Sequence, residues 1–163
     1  MKNILFTILF FYSLILSAQQ PTTNIPRLVK NGKYVQLIVE NKPILILGGE
    51  LGNSSASSNE YMQPIWPKLK QMNLNTVIAP VYWELMEPIE GKFNFSLVDS
   101  LVINARLNNM KLVLLWFGAW KNSMSCYAPA WVKTNSTRFP RALDKNKLPQ
   151  EILTPFNKNN LEA

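Results

Sequence analysis

Residues 76–95 read TVIAPVYWELMEPIEGKFNF, and this stretch decides the fold. Its first seven residues, Thr76 to Tyr82, are mostly apolar and partly β-branched, which indicates a strand in a sheet that is covered on both faces. An indole and carboxylates follow the strand directly, at Trp83, Glu84 and Glu87. Because the functional groups of parallel α/β enzymes lie at the carboxyl ends of their strands, we expect the segment after Tyr82 to form part of a functional rim.

The same strand-then-helix pattern occurs on both sides of this stretch. Strand starts at Ile44, Thr76 and Lys111 are 32 and 35 residues apart, the length of one βα unit. The G-x-G-x-x-G spacing of a doubly wound fold is missing after the first strand. We therefore predict an α/β fold, the N-terminal portion of a (β/α)8 barrel with about three βα units. The segments are strands at Ile44–Leu47, Thr76–Val81 and Lys111–Phe117, and helices at Glu60–Met72 and Ser96–Asn108.

The remaining segments flank this pattern. Asn31-Gly32 between two apolar runs predicts a β-hairpin before the barrel, and a second turn is expected at Asn41-Lys42-Pro43. From Thr134 the chain is polar and interrupted by prolines, which predicts a long loop, and Asn159 or Asn160 would cap a helix beginning at Leu161. Since a complete barrel needs about 250 residues, we expect residues 27–163 to be an incomplete barrel from a longer protein.

The first 26 residues predict a targeting segment. Residues 1–19 combine a short basic start, an apolar run and a small-residue exit, which is typical of a secretory signal peptide, and residues 20–26 form a polar linker. The apolar run from Ile4 to Leu16 is shorter than the ~20 residues that span a bilayer. We expect cleavage after Ala18 or Gln19, export to the periplasm or the medium, and no stable membrane insertion afterwards.

Composition excludes several kinds of chemistry. The chain has one cysteine, Cys126, and no histidine, so a thiolate metal cluster, His-ligated zinc and a His-activated nucleophile are excluded for this chain alone. The net charge of +7 is spread along the chain instead of forming a basic stripe, so no nucleic-acid partner is predicted. We interpret the densest basic group as a solvated loop; it comprises Lys133, Arg138, Arg141, Lys145 and Lys147.

Sugars are bound by aromatic rings that stack on their C–H faces and by carboxylates or amides that bridge hydroxyl pairs. Side chains of these kinds follow the three predicted strands. The candidate saccharide-binding residues are Glu50, Trp83, Glu84, Trp116, Trp120 and Asn122. Trp116 alternates with Leu115 inside an apolar strand, so it is either a core residue or a stacking residue. We interpret Glu87 as a residue with a structural hydrogen-bonding role and Glu90 as a solvated turn residue.

Four stretches resemble the N-terminal barrel half of glycoside hydrolase family 35, and family 42 galactosidases are similar over the same region. The stretches are Gly48-Gly49-Glu50, Trp66 to Thr76, the Trp83-x-x-x-Glu87-Pro88-x-x-Gly91-x-Phe93-x-Phe95 run, and Pro129-Ala130-Trp131-Val132. The resemblance implies a β-galactosidase-like enzyme that retains anomeric configuration by means of two glutamates, with no cofactor and with an oligosaccharide or polysaccharide substrate. It also implies that both catalytic glutamates lie beyond Ala163.

Three alternatives stay open. The chain is either part of such an enzyme or a secreted, non-catalytic carbohydrate-binding protein. If the chain is part of an enzyme, the substrate is either a galactoside or another glycoside, namely a mannoside or a glucoside. Glu50 and Glu84 are an alternative catalytic pair, since adjacent strands bring their ends together. The oligomeric state is not predicted.

Overall fold

The computed structural model describes residues 25–121 and 126–163. The predicted signal peptide, most of the linker and Asn122 lie outside the described residues. The chain divides into two compact units, Met1–Leu45 and Ile46–Ala163, and each is described by itself.

The first unit contains a three-stranded antiparallel sheet: β1 (Arg27–Asn31), β2 (Tyr34–Val39) and β3 (Lys42–Pro43). The predicted hairpin is confirmed, and its two-residue loop is Gly32-Lys33, with Gly32 at a φ of 60°. The second turn lies at Glu40 and Asn41, which have φ values of 51° and 62°, so Lys42 and Pro43 pair as a strand and do not form the turn. The predicted turn was therefore one residue too late. A two-residue turn of this kind is defined by two adjacent residues with positive φ, and the position of Pro43 does not define it.

The second unit is built around a parallel sheet of β4 (Gly48–Glu50), β5 (Thr76–Tyr82) and β6 (Lys111–Phe117), in the order β4-β5-β6. Three parallel strands in chain order were predicted, and this is confirmed. Among the described residues the sheet is small and open. Tyr82 pairs with Phe117 at the carboxyl end, so the segments that follow β5 and β6 leave the sheet side by side.

The predicted first strand at Ile44–Leu47 is wrong, because the strand begins at Gly48. Leu47 contacts the residue before β5: its N–H donates to Asn75 Oδ1 at 3.0 Å, and its carbonyl accepts from Asn75 N at 2.9 Å. Ladder pairing starts only where Gly48 faces Thr76. An apolar run therefore precedes the strand instead of forming it, since β-structure requires a partner and β5 provides one only from Thr76 onward.

The helices of this unit are α1 (Asn59–Met62), α2 (Ile65–Gln71), α3 (Trp83–Met86) and α4 (Ser96–Leu107). The helix predicted at Glu60–Met72 is divided at Gln63-Pro64, because Pro64 has no N–H to continue the hydrogen-bond series. The helix predicted at Ser96–Asn108 is confirmed, with Asn108 as its C-cap. The core lies between the sheet and these helices; its most buried members include Met62, Val77, Leu101, Ala105 and Phe117.

Beyond Lys121 the described chain contains α5 (Ala130–Lys133), β7 (Arg141–Leu143), β8 (Pro149–Leu153) and α6 (Lys158–Glu162). The long loop predicted from Thr134 is wrong, because β7 and β8 form an antiparallel hairpin. Asp144 closes its turn, with Oδ1 accepting from the N–H groups of Asn146 and Leu148. The last helix begins three residues before the predicted position, since Asn157 is the residue whose side chain caps it. No helix in the described ranges has the length and apolar character needed to cross a membrane.

Candidate functional site

A cavity of about 590 Å³ lies beside the carboxyl ends of β5 and β6. Its walls come from the turn after α3, the end of β6, α5 and the residues around α6. Three tryptophans and an ion pair contribute to it. The lining residues used below are Trp83, Glu87, Glu90, Phe93, Trp116, Trp131, Arg138, Asn160 and Glu162.

Trp83 and Glu87 form a rigid wall of this cavity. Trp83 is 6% exposed and its indole N–H donates to Glu87 Oε2 at 2.8 Å. The other carboxylate oxygen of Glu87 accepts from Gly91 N at 2.7 Å, and the Trp131 indole donates to the Glu87 carbonyl at 3.0 Å. The predicted structural role of Glu87 is confirmed. Trp83 touches the cavity, but its burial makes it a poor platform for an exposed sugar ring.

Trp116 provides the exposed aromatic surface. Its side chain is 56% exposed although it lies in β6, whereas the next residue of this edge strand, Phe117, is 1% exposed. Gly118 allows this placement: a Cβ at position 118 would lie 2.8 Å from the Trp116 indole nitrogen. The indole of Trp116 is exposed in the described part of the chain, and its role as a stacking residue stays a prediction.

Glu90 and Arg138 form a two-point ion pair in the lining of the cavity. Arg138 donates to both carboxylate oxygens of Glu90, at 3.0 Å and 2.7 Å, and its guanidinium lies 4.7 Å from the centre of the Phe139 ring. The hydrogen bonds from Arg138 lower the pKa of Glu90, and Glu90 raises the pKa of Arg138 in turn. Both groups therefore remain charged at neutral pH.

Asn160 joins α6 to the hairpin at the edge of the cavity. Its Nδ2 donates to the carbonyls of Pro140 at 2.9 Å and Thr154 at 2.8 Å, which fixes the orientation of the amide. Its Oδ1 is buried and has no hydrogen-bond partner among the described residues. The structure therefore holds one polar acceptor here that the described residues leave unsatisfied.

Three further candidates, Glu50, Glu84 and Trp120, are described by the structure and do not line this cavity. Glu50 lies 3.9 Å from Lys121 Nζ, and Glu84 lies 2.8 Å from Lys133 Nζ. Trp120 is 63% exposed. The structure thus brings Trp83 and Trp116 together in one cavity and places Glu50, Glu84 and Trp120 outside its lining.

Sequence reasoning missed part of the site. Glu90 is an exposed turn residue as predicted, but its pairing with Arg138 was not predicted, and the basic group is not a solvated loop as a whole. Lys133 pairs with Glu84, Arg138 pairs with Glu90, and Arg141 donates to the carbonyls of Lys133 and Glu151. These contacts join residues up to 49 positions apart, so local charge patterning does not reveal them. One further cavity residue, Trp131, could have been proposed from the sequence. It lies in the Pro129-Ala130-Trp131-Val132 stretch that resembles family 35.

The chemistry of the site is that of a surface for polyhydroxylated molecules. An indole face, a benzyl ring at Phe93 and a paired carboxylate and guanidinium offer stacking together with hydrogen-bond donors and acceptors. Within the described ranges, no three His, Cys, Asp or Glu side chains gather as a metal site requires.

A comparison with protein families identifies the family of this chain. A family model described as beta-galactosidase, glycoside hydrolase family 42, matches residues 53–147, more than half of the chain. The chain belongs to this family of glycosidases. The matched range includes Trp83, Glu90, Trp116, Trp131 and Arg138 and ends before α6. The glycosidase relationship expected from the sequence is confirmed, and the matching model is that of family 42, which the sequence analysis named beside family 35.

Two individual proteins are similar over part of the chain. Beta-galactosidase 11 of Arabidopsis thaliana is 38% identical over 60 residues, which is 37% of this chain and 7% of the plant protein. The exo-beta-1,4-mannosidase Op5Man5 of Opitutaceae bacterium strain TAV5 is similar in structure, with 16% identity and a TM-score of 0.48, over 58% of this chain and 18% of the mannosidase. The chain thus spans only a small part of the length of both proteins.

Proposed function

We propose that this chain forms the N-terminal part of an exported (β/α)8 glycosidase that hydrolyses β-galactosides or related glycans. Within that enzyme the chain binds sugar at the cavity beside Trp116 and builds part of the barrel wall. The observation that carries the proposal is that the family match spans the residues of β5, β6 and most of the cavity lining. The resemblance to family 35 in the residues around Glu87 and Trp131 supports the same activity.

The proposed mechanism retains anomeric configuration and uses two glutamates about 5 Å apart, one as nucleophile and one as acid and base. The carboxylates at the strand ends of this chain are engaged in other contacts. Glu50 faces Lys121, Glu84 faces Lys133, and Glu87 is buried against Trp83. We therefore assign both catalytic glutamates to polypeptide outside this chain and give this chain the binding role.

The open edges of the sheet support the proposal that it is part of a larger barrel. β4 and β6 are edge strands of the described sheet, and Val113 and Leu114 on β6 are 47% and 45% exposed. Apolar side chains and unpaired backbone groups on an edge strand are suited to pairing with a further strand. In the proposed enzyme, further βα units pair with these edges and close the barrel.

The test is a hydrolysis panel on the full-length protein with chromogenic β-galactoside, β-mannoside and β-glucoside. We expect turnover of the β-galactoside with retained configuration at the anomeric carbon, read by proton NMR of the first product. We expect Glu84→Gln to keep measurable turnover, because Glu84 is paired with Lys133 and is not assigned to catalysis.

Each contrary outcome has a definite meaning. Faster turnover of the mannoside or glucoside would replace the proposed sugar and keep the enzyme class. Binding of all three sugars without turnover would favour a carbohydrate-binding protein. Turnover by the 163-residue chain alone that Glu84→Gln abolishes would overturn the assignment of the catalytic glutamates.

A further inference from the structure

The charge of the cavity is opposite to the charge of the chain. The chain as a whole has a formal charge of +7. The cavity is lined by the carboxylates of Glu87, Glu90 and Glu162 and by one guanidinium, that of Arg138. Residues 122–125 contain no ionisable side chain, so they do not alter this balance. Lys158 lies 3.6 Å from Glu162 and compensates that carboxylate, so Glu87 provides the remaining formal negative charge that an anionic ligand meets.

The guanidinium of Arg138 is already paired. Two of its N–H groups donate to the two oxygens of Glu90, and its face lies over Phe139. The carboxylate of a ligand would have to displace Glu90 from this two-point pair or approach it against like-charge repulsion. A hydroxyl group has neither difficulty, because it can donate to a free lone pair of Glu90 or accept from a remaining N–H of Arg138.

Glu90 is the carboxylate that controls this arrangement. Glu87 is buried and bound by Trp83 and Gly91, and Glu162 lies 3.6 Å from Lys158 on the exposed side of α6. Removal of the charge of Glu90 releases Arg138, whereas removal of Glu162 leaves the Glu90–Arg138 pair in place.

On the basis of the proposed function, we propose that the Glu90–Arg138 pair makes this cavity select uncharged saccharides and exclude sugar acids. The pair binds neighbouring hydroxyl groups of the sugar, Trp116 and Phe93 contact its apolar face, and the charge of Glu90 keeps uronate carboxylates away from Arg138. Specificity in this site therefore includes a repulsive element as well as an attractive one.

The experiment compares two ligands that differ at C6: S-linked galactobiose, which is uncharged, and S-linked digalacturonate, which carries two carboxylates. The sulfur linkage resists hydrolysis, so binding to the full-length protein is measured by calorimetry at low salt and neutral pH. We expect the wild-type protein to bind galactobiose about tenfold more tightly than digalacturonate, as one close charge repulsion predicts.

Three variants test the role of the pair. Glu90→Gln leaves Arg138 without its charged partner and should strengthen digalacturonate binding about fivefold. Galactobiose binding should weaken about twofold, because the amide keeps only one of the two acceptor oxygens that receive sugar hydroxyl groups. The double variant Glu90→Gln with Arg138→Gln should remove that gain, because the released guanidinium is gone. Glu60→Gln changes the net charge of the chain equally at a residue that does not line the cavity, and it should leave the ratio unchanged.

A ratio that stays the same in Glu90→Gln, with the fold intact by circular dichroism, would overturn the inference. Equal wild-type affinity for both ligands would also overturn it. In either case β-galactoside turnover in the hydrolysis panel would still support the proposed function. If the wild-type protein binds neither disaccharide and turns over no β-galactoside, the proposed function fails together with the inference.

Discussion

The segments after β5 and after β6 place the same residue type near the end of a strand and use it differently. Trp83 follows β5 and is buried, because α5 covers it: the Trp131 ring lies 5.9 Å away at 89°. Trp116 lies near the end of β6 and is 56% exposed over Gly118. A position at a strand end therefore brings an indole to the site, but the element that packs on it decides whether it supports the wall or contacts a ligand.

The largest expected effect is a difference in the free energy of unfolding between alanine variants of the two tryptophans. Trp83→Ala removes a buried side chain and the donor to Glu87, and should lower the free energy of unfolding by roughly 4 kcal/mol. Trp116→Ala should cost much less, because more than half of that side chain is already in water. Urea denaturation of the full-length protein measures both changes. Equal losses would show that burial does not distinguish the two regions.

The next effect is a difference in stability between variants of the two carboxylates on the turn after α3. Glu87→Ala leaves the buried indole N–H of Trp83 without an acceptor and removes the hydrogen bond to the exposed Gly91 N–H, and should destabilise the protein by about 2 kcal/mol. Glu90→Ala removes an exposed ion pair and should change the free energy of unfolding far less. The same denaturation experiment compares the two variants, and a larger loss for Glu90→Ala would contradict the structural role of Glu87.

A smaller effect concerns sugar binding at Trp116. Trp116→Ala should weaken galactobiose binding about tenfold, since the stacking surface is lost. Gly118→Ala keeps the indole but forces a new Cβ against its nitrogen, so binding should weaken less than in Trp116→Ala. Calorimetric titration measures both. Trp120→Ala is the matched control because Trp120 is also exposed but does not line the cavity, and an equal loss there would contradict the assignment of the site.

The smallest effect is a pH dependence at Glu90. Its pKa is lowered from the ordinary value of 4.5 by hydrogen bonds from Arg138, so the folded protein favours the ionised form. The stabilisation by the pair is therefore fully present above pH 4.5 and is lost as the pH falls below this value through the folded pKa. The difference in Tm between wild type and Glu90→Gln should shrink as the pH is lowered through this window. A constant difference would exclude a contribution from the charged pair.

The strands β5 and β6 and the helix α4 were predictable because their apolar patterns are long and unambiguous. The hairpin of β7 and β8 was not predictable, since its strands contain few apolar residues and its stability depends on distant contacts. Leu153 is buried in a cluster with Trp83 and Phe139, and Arg141 donates to the carbonyls of Lys133 and Glu151. For α6, several asparagines near its start are each able to cap a helix, so the sequence did not identify Asn157.

The candidate site was predictable in kind but only partly in detail. Trp83 and Trp116 were predicted from their position beside apolar strands, and both line the cavity. Glu90 and Arg138 were missed because their pairing joins residues 48 positions apart. Glu50 and Glu84 were predicted at strand ends, but lysines from later segments pair with them outside the cavity lining.

The sequence by itself determined the three strands in chain order and the presence of indoles and carboxylates at the strand ends. These properties follow from local patterns, because strand and helix formation depend on the spacing of apolar residues along the chain. The tertiary structure alone decided which indole is exposed, which carboxylate is paired and where the cavity lies. Those outcomes depend on contacts between segments that are far apart in sequence, and burial and pairing energies are fixed only when these segments meet.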